Sequence, residues 1–225
     1  MKKIIILIIY LIFITLLNTN FGNLEISLID YCNLIFLNVK SYFNYGLSIW
    51  NIQYIVSFLV FIIILIVYNL PYINENYSFL NMIIYRKGRK NTIKSVLKSN
   101  LLSLSKYYLV INIAVVCICL IMPHITIEED FLYSWSIFSI YLIRIMVLLL
   151  FIIMKNFIDS LKNDFSISMI KIIISIVLLI FFDIIIQSNF ICFSKNILYE
   201  IGYLITYAVI VSIYYYFKVI RGGKE

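Results

Sequence analysis

Charge is the scarcest resource in this chain. Of 225 residues only 13% are Asp, Glu, Lys or Arg, against 64% hydrophobic, and the mean hydropathy is +1.03. Soluble globular domains are about half apolar and about a quarter charged, so this composition excludes that class and indicates an integral membrane protein. Histidine occurs once, as His124 at the outer exit of a span, which excludes histidine-pair metal sites and leaves no Ser/His pair at membrane depth for intramembrane hydrolysis. Only Asp183 lies at the depth where a carboxylate pair would have to work. Proline occurs twice and glycine six times, and no glycine cluster resembles a phosphate-cradling loop. Of the four cysteines, Cys117 and Cys119 form Cys-Ile-Cys, without the two-residue gap of zinc and redox motifs. Cys32 and Cys192 both fall in segments read as external and are candidates to pair, although small apolar fillers are the commoner role. These absences argue against an autonomous enzyme, a metal site or a resident cofactor.

What is present is a series of apolar runs. They predict an all-α polytopic membrane protein with about six transmembrane helices and both termini cytoplasmic, forming a single domain over 1–225. The spans are read at about 4–19, 50–68, 107–122, 133–154, 166–187 and 197–217. Pro71 ends the second and Pro123 stops the third. Between the first two, residues 22–48 read as an outer interfacial segment, lying on the outer leaflet or partly re-entrant. Lys and Arg set the orientation. Lys2, Lys3, Lys155, Lys162, Lys218, Arg221 and Lys224 fall in the inner segments with the central basic passage, and only Lys40 and Lys195 fall outside. The formal charge of +7 is thus topological and does not by itself indicate nucleic acid. Glu128, Glu129 and Asp130 read as a solvated outer loop.

The basic passage, Tyr85 to Lys106, contains Arg86, Lys87, Arg89, Lys90, Lys94, Lys98 and Lys106 and no acid. Gly88 divides it, and Ile93, Leu97, Leu101 and Leu104 then recur at helical spacing opposite Lys94, Lys98 and Ser105. Residues 72–106 therefore read as a cytoplasmic amphipathic segment along the membrane surface. Anionic lipids account for its charge at about 1 kcal/mol per Lys or Arg, but not for its length or its apolar stripe.

Arg144, within the fourth span, is the sharpest single residue, because a charge at mid-bilayer faces protein or water. Asp183, in the fifth, is its expected partner. The pair reads as a structural lock between spans or as part of a substrate pathway. Glu200, at the outer end of the sixth span, reads as a headgroup-level residue needing no special account.

Two spans, a cytoplasmic amphipathic segment opening with Tyr85-Arg-Lys-Gly-Arg-Lys90, and four further spans together resemble the permease subunits of ABC-2-type ABC exporters. The likeness is greatest to the small, divergent ones of bacteriocin or peptide-antibiotic export and immunity systems. The resemblance implies that Arg86, Lys87, Gly88, Arg89, Lys90, Ile93, Leu97 and Leu101 form a coupling helix that docks on a separate ATPase. It also implies a second permease copy or paralogue, a bacterial cell membrane location, no catalytic residues in this chain, and no nucleic-acid partner. The first span begins almost at Met1, without the amphipathic N-terminal helix common in that family. The alternative is a non-transporting immunity or assembly protein that binds its partner through the 85–106 loop.

Overall fold

The computed structural model describes residues 2–19, 26–36, 49–69, 88–121, 125–126, 131–160, 165–186, 191–194 and 196–217. Among them the fold is all-helical apart from one two-residue bridge. In chain order the elements are α1 (Lys2–Thr19), β1 (Ile26–Ser27), α2 (Leu28–Ile35), α3 (Ile49–Asn69), α4 (Arg89–Ile121), β2 (Ile125–Thr126), α5 (Phe131–Ser160), α6 (Phe165–Ile186) and α7 (Ile197–Tyr215). Stretches of α4 (Asn91–Ile121), α5 (Phe131–Lys155) and α7 (Ile197–Tyr215) are long and apolar enough to cross a membrane, and α1 and α3 contain shorter apolar stretches, Lys3–Leu16 and Ile55–Ile66. The chain is a membrane protein.

The helices are held by one continuous core, and α5 is its hub, touching α2, α3, α4, α6 and α7. The cause is visible in its sequence. Ile137, Phe138, Tyr141, Leu142, Ile145, Leu149 and Ile153 recur at three- and four-residue spacing and are all buried. Hydroxyls elsewhere bond within their own helix, as Thr15 Oγ1 does to the Leu11 carbonyl at 2.7 Å and Thr206 Oγ1 to that of Gly202 at 2.8 Å. Such back-bonding satisfies a hydroxyl where no water is at hand.

One expected boundary does not exist. The sequence divides at Lys106/Tyr107, where polarity changes, into a surface segment and a span. The structure instead has one unbroken 33-residue helix, α4. Neither Gly nor Pro occurs between Arg89 and Ile121. The buried positions Ile93, Val96, Asn100, Leu104, Tyr107, Ile111, Val115 and Ile118 stay in helical phase across the supposed join. Polarity alone does not end a helix; only a backbone breaker or a shift of phase does. At 1.5 Å per residue α4 is about 50 Å long, against about 30 Å for a bilayer's hydrocarbon.

Helix α2 folds back into the bundle. Ile26 and Ser27 pair in parallel with Ile125 and Thr126, which ties the segment after α1 to the segment after α4. The buried Tyr31 hydroxyl then meets Thr15 Oγ1 of α1 at 2.7 Å. Phe36 ends the segment, fully buried, with its ring 5.5 Å from Phe61 of α3 and 5.2 Å from Phe138 and 5.6 Å from Tyr141 of α5. Residues 26–36 of the segment read as 22–48 thus pack into the bundle; the rest of 22–48 lies outside the described residues. Phe36 joins α2, α3 and α5 at one point. Phe36→Ala should therefore cost about 3–5 kcal/mol, measured as loss of thermal stability in detergent, with Phe36→Leu costing less.

Candidate functional site

The basic passage is described only from Gly88 onward; Arg86 and Lys87 lie outside the described residues. Gly88 has φ +75°, a left-handed conformation that side-chain-bearing residues rarely adopt. Its carbonyl accepts from Thr92 N at 3.1 Å and Thr92 Oγ1 at 3.0 Å, which starts α4 cleanly. Arg89 and Lys90 open the first turn. Ile93 is buried in the core and Leu97 packs against it, but Leu101 is half exposed beside Leu102. The buried stripe runs instead through Val96, Asn100 and Leu104, with Asn100 Nδ2 reaching Met154 Sδ of α5 at 3.9 Å. Lys94, Lys98 and Lys106 are exposed. The apolar face of this passage is thus spent on the protein's own core, and its basic face is free of it.

Arg144 lies midway along α5, about 20 Å from Phe131 and about 24 Å from Ser160 at the helical rise, and is fully buried. Its Nε is 3.1 Å from Oε2 of Glu200, itself fully buried in the first turn of α7. Its Nη2 donates to the carbonyls of Cys192, at 2.6 Å, and Ile191, at 3.3 Å. The rings of Tyr141 and Tyr203 stand 5.0 and 5.2 Å from the guanidinium carbon, within cation–π range. Asp183 of α6, also fully buried, accepts at one oxygen from Ile191 N at 2.5 Å and from Cys192 N at 3.0 Å.

The two residues singled out from sequence therefore meet on the same pair of peptides, Arg144 at the carbonyls and Asp183 at the amides. The ion pair, however, brings in a third residue. Glu200 is no headgroup-level side chain: it closes on Arg144 and takes Ser194 N–H on its other oxygen at 2.8 Å. Arg144 and Asp183 both bind Ile191 and Cys192 because the connection between α6 and α7 folds inward.

That connection explains the charges. Ile191, Cys192, Phe193 and Ser194 are irregular backbone, yet each is buried. In a bundle this apolar no water reaches such groups, and each unsatisfied one costs several kcal/mol. Asp183 satisfies the amides of 191 and 192, Glu200 that of 194, Arg144 the carbonyls of 191 and 192, and Phe193 N donates to the Phe36 carbonyl at 3.2 Å. The last bond joins the two inward-folded segments. The Phe193 ring, 5.2 Å edge-on to Tyr141, extends the aromatic group around Phe36.

A separate open groove of about 360 Å³ lies on the α4–α5 face, lined in part by Tyr108, Asn112, Val116, Cys117, Trp135 and Ser139. Within it Ser139 Oγ donates to Asn112 Oδ1 at 3.2 Å. Among the described residues no group of three or more His, Cys, Asp or Glu is placed to hold a metal. His124 and the 128–130 acids lie outside the described residues. The four cysteines are free thiols, so the candidate Cys32–Cys192 pairing is not made. Burial pushes both thiols well above their ordinary range, and Cys119 beside Cys32 adds to its shift.

No family model, curated protein or solved structure matches this chain. Its function has to be read from the site.

Glu200 was missed although a signal exists. Glu200, Tyr203 and Tyr207 fall at i, i+3 and i+7, a polar stripe on an otherwise apolar helix, just after the capping Asn196, whose Oδ1 accepts from Leu198 N at 2.9 Å. The inward fold of 191–194 had no such signal, because Ile-Cys-Phe reads equally as span or loop.

Two outcomes follow. Removing one buried partner leaves the others uncompensated, so Arg144→Met should cost about 3–5 kcal/mol, and Arg144→Met with Glu200→Met together should cost less than the sum of the two singles. Thermal denaturation across that double-mutant cycle measures it. Without reductant, a thiol reagent should titrate all four cysteines in SDS. Cys32 and Cys192 should stay unlabelled in the native protein near neutral pH, since attack needs the thiolate.

Proposed function

We propose that this chain is the membrane-spanning permease subunit of an ABC exporter in a bacterial cell membrane. It moves an amphipathic peptide or lipid-like cargo with energy from a separate ATPase and works beside a second permease copy or paralogue. The observation that carries the reading is α4. A helix about 50 Å long that begins in a basic passage and runs unbroken into the bundle is a lever. Force applied at Arg89 and Lys90, in the first turn of α4, would reach the core without passing through a loop. Packed on α1, α3 and α5, the lever would move the helix that carries Arg144.

The six-span topology with cytoplasmic termini belongs to the same proposal. Under it the segments after α1, α4 and α6 all lie outside, which agrees with the β1–β2 bridge and the Phe193–Phe36 bond between them. Arg144, Asp183 and Glu200 would then sit at membrane depth, where ionisable groups are rare and commonly functional. A cargo path there would meet little fixed charge beyond these three.

The decisive experiment is Arg86→Glu with Arg89→Glu and Lys90→Glu. Co-purification of the ATPase from native membranes should weaken at least about tenfold, equivalent to about 1.4 kcal/mol, with export lost and thermal stability held. Undiminished association and export would overturn the coupling assignment. A captured partner without nucleotide-binding motifs would instead favour an immunity or assembly protein.

A further inference from the structure

Lysines from three helices share one level of the bundle. Arg144 and Asp183 meet on the peptides of 191 and 192, which sets the register between the antiparallel helices α5 and α6. Lys155 lies about 16 Å along α5 from Arg144, and Lys171 about 18 Å along α6 from Asp183, towards the same end of the bundle. Asn100 against Met154 and Asn112 against Ser139 set the register between α4 and α5, also antiparallel. Lys98, about 3 Å along α4 from Asn100, therefore reaches the level of Lys155. Lys98, Lys155 and Lys171 are all exposed, and among the described residues none of them has a carboxylate partner. Exposed apolar residues follow on the side nearer the cluster: Leu101 and Leu102 after Lys98, Ile174 and Leu178 after Lys171. Trp135 stands about 30 Å from Lys155 along α5, which is the thickness of a bilayer's hydrocarbon. An indole at one edge of that distance and ammonium groups at the other are what membrane boundaries favour.

We propose that Lys98, Lys155 and Lys171 form a collar that binds the phosphate groups of anionic phospholipids and fixes where the bundle sits in the bilayer. An ammonium at the edge of hydrocarbon, without a carboxylate from the protein, takes its counter-charge from the headgroup layer around it. Each supplies three donors to phosphate oxygens, and a compact charge that needs no fixed approach. Lys106, exposed two turns further in, extends this surface, because helical side chains lean towards the N-terminus and so carry its ammonium towards the collar. The same level divides the basic passage of α4. Headgroups add about 5–7 Å beyond the hydrocarbon, which takes in Lys94, about 6 Å from Lys98. Arg89 and Lys90 lie about 12–14 Å beyond Lys98, clear of the headgroups and open to a protein. Lys171 carries no signal of this in the sequence, since it reads as one charge inside an apolar run; only the register of α6 against α5 gives it a level. The collar does not require that the chain be a permease, and its test needs no ATPase.

Full-length protein is held in nanodiscs of equal parts phosphatidylglycerol and phosphatidylcholine with matched chains. Native mass spectrometry then counts the lipids it retains. Phosphatidylglycerol should be retained over phosphatidylcholine by at least about fivefold. Lys155→Gln with Lys171→Gln should cut that preference at least about threefold. Arg89→Gln with Lys90→Gln, the same loss of charge made beyond the headgroups, should cut it less. A parent protein without preference overturns the proposal. So does an equal or larger effect of the second pair, which would assign lipid selection to net charge and not to a collar. If the first pair of substitutions does not fold, Lys171→Gln beside Lys171→Arg decides. Preference reduced by Gln and kept by Arg supports the collar, and any other result overturns it.

Discussion

The structure depends on a constraint that apolar proteins cannot evade: buried irregular backbone must find polar partners within the protein. Residues 191–194 are such backbone, and three charged side chains from three helices supply the partners. The arrangement looks extravagant if each charge is considered singly, since isolated charges in apolar surroundings are costly. It becomes intelligible once the four-residue segment is counted as part of the site. The charges hold one another less than they hold the chain between them. α5, α6 and α7 are thereby fixed through a peptide segment rather than through side-chain packing alone, which suits α7, the least enclosed of the three span-length helices.

The same segment connects the two halves of the bundle. Its Phe193 amide bonds the Phe36 carbonyl, at the end of the helix that folds back from the first half. The aromatic rings of Phe36, Phe61, Phe138, Tyr141 and Phe193 fill the volume around that bond. Two inward folds that meet, among the described residues, on the Phe193–Phe36 backbone hydrogen bond beneath close-packed rings form a seam. A seam of that kind is held by few polar contacts, and those contacts trace back to Arg144 and its acids.

How much of this was legible in the sequence follows from what each residue type can signal. Helical periodicity identified the helices, and scarcity of charge identified the membrane class. Arg144 and Asp183 stood out because a charge in an apolar run is conspicuous wherever it points. Glu200 did not, because an acid three residues from a span's apparent end has an ordinary explanation in the headgroups. Only the inward fold of 191–194 removes that explanation, and Ile191-Cys-Phe193 gives no periodicity or turn residue by which to detect it. The continuity of α4 was legible but obscured: Ile93, Val96, Leu104, Tyr107 and Ile111 keep phase through the change of polarity at Lys106. Periodicity was the better guide there than charge.

That continuity bears on how the proposed coupling would work. A surface helix joined to a span by a loop transmits position poorly, because the loop absorbs displacement. An unbroken helix transmits it along its whole length, and α4 passes Asn100, against Met154, and Asn112, bonded by Ser139, on its way along α5. Both contacts are polar or soft rather than close aliphatic packing, and so tolerate sliding better than interdigitated Leu or Phe would. Ten residues separate Met154 from Arg144 and five separate Ser139 from it, so the two contacts bracket the charged cluster along α5. Movement of α4 against α5 would therefore act on both sides of Arg144, where three ionisable side chains and four peptides already stand in one arrangement.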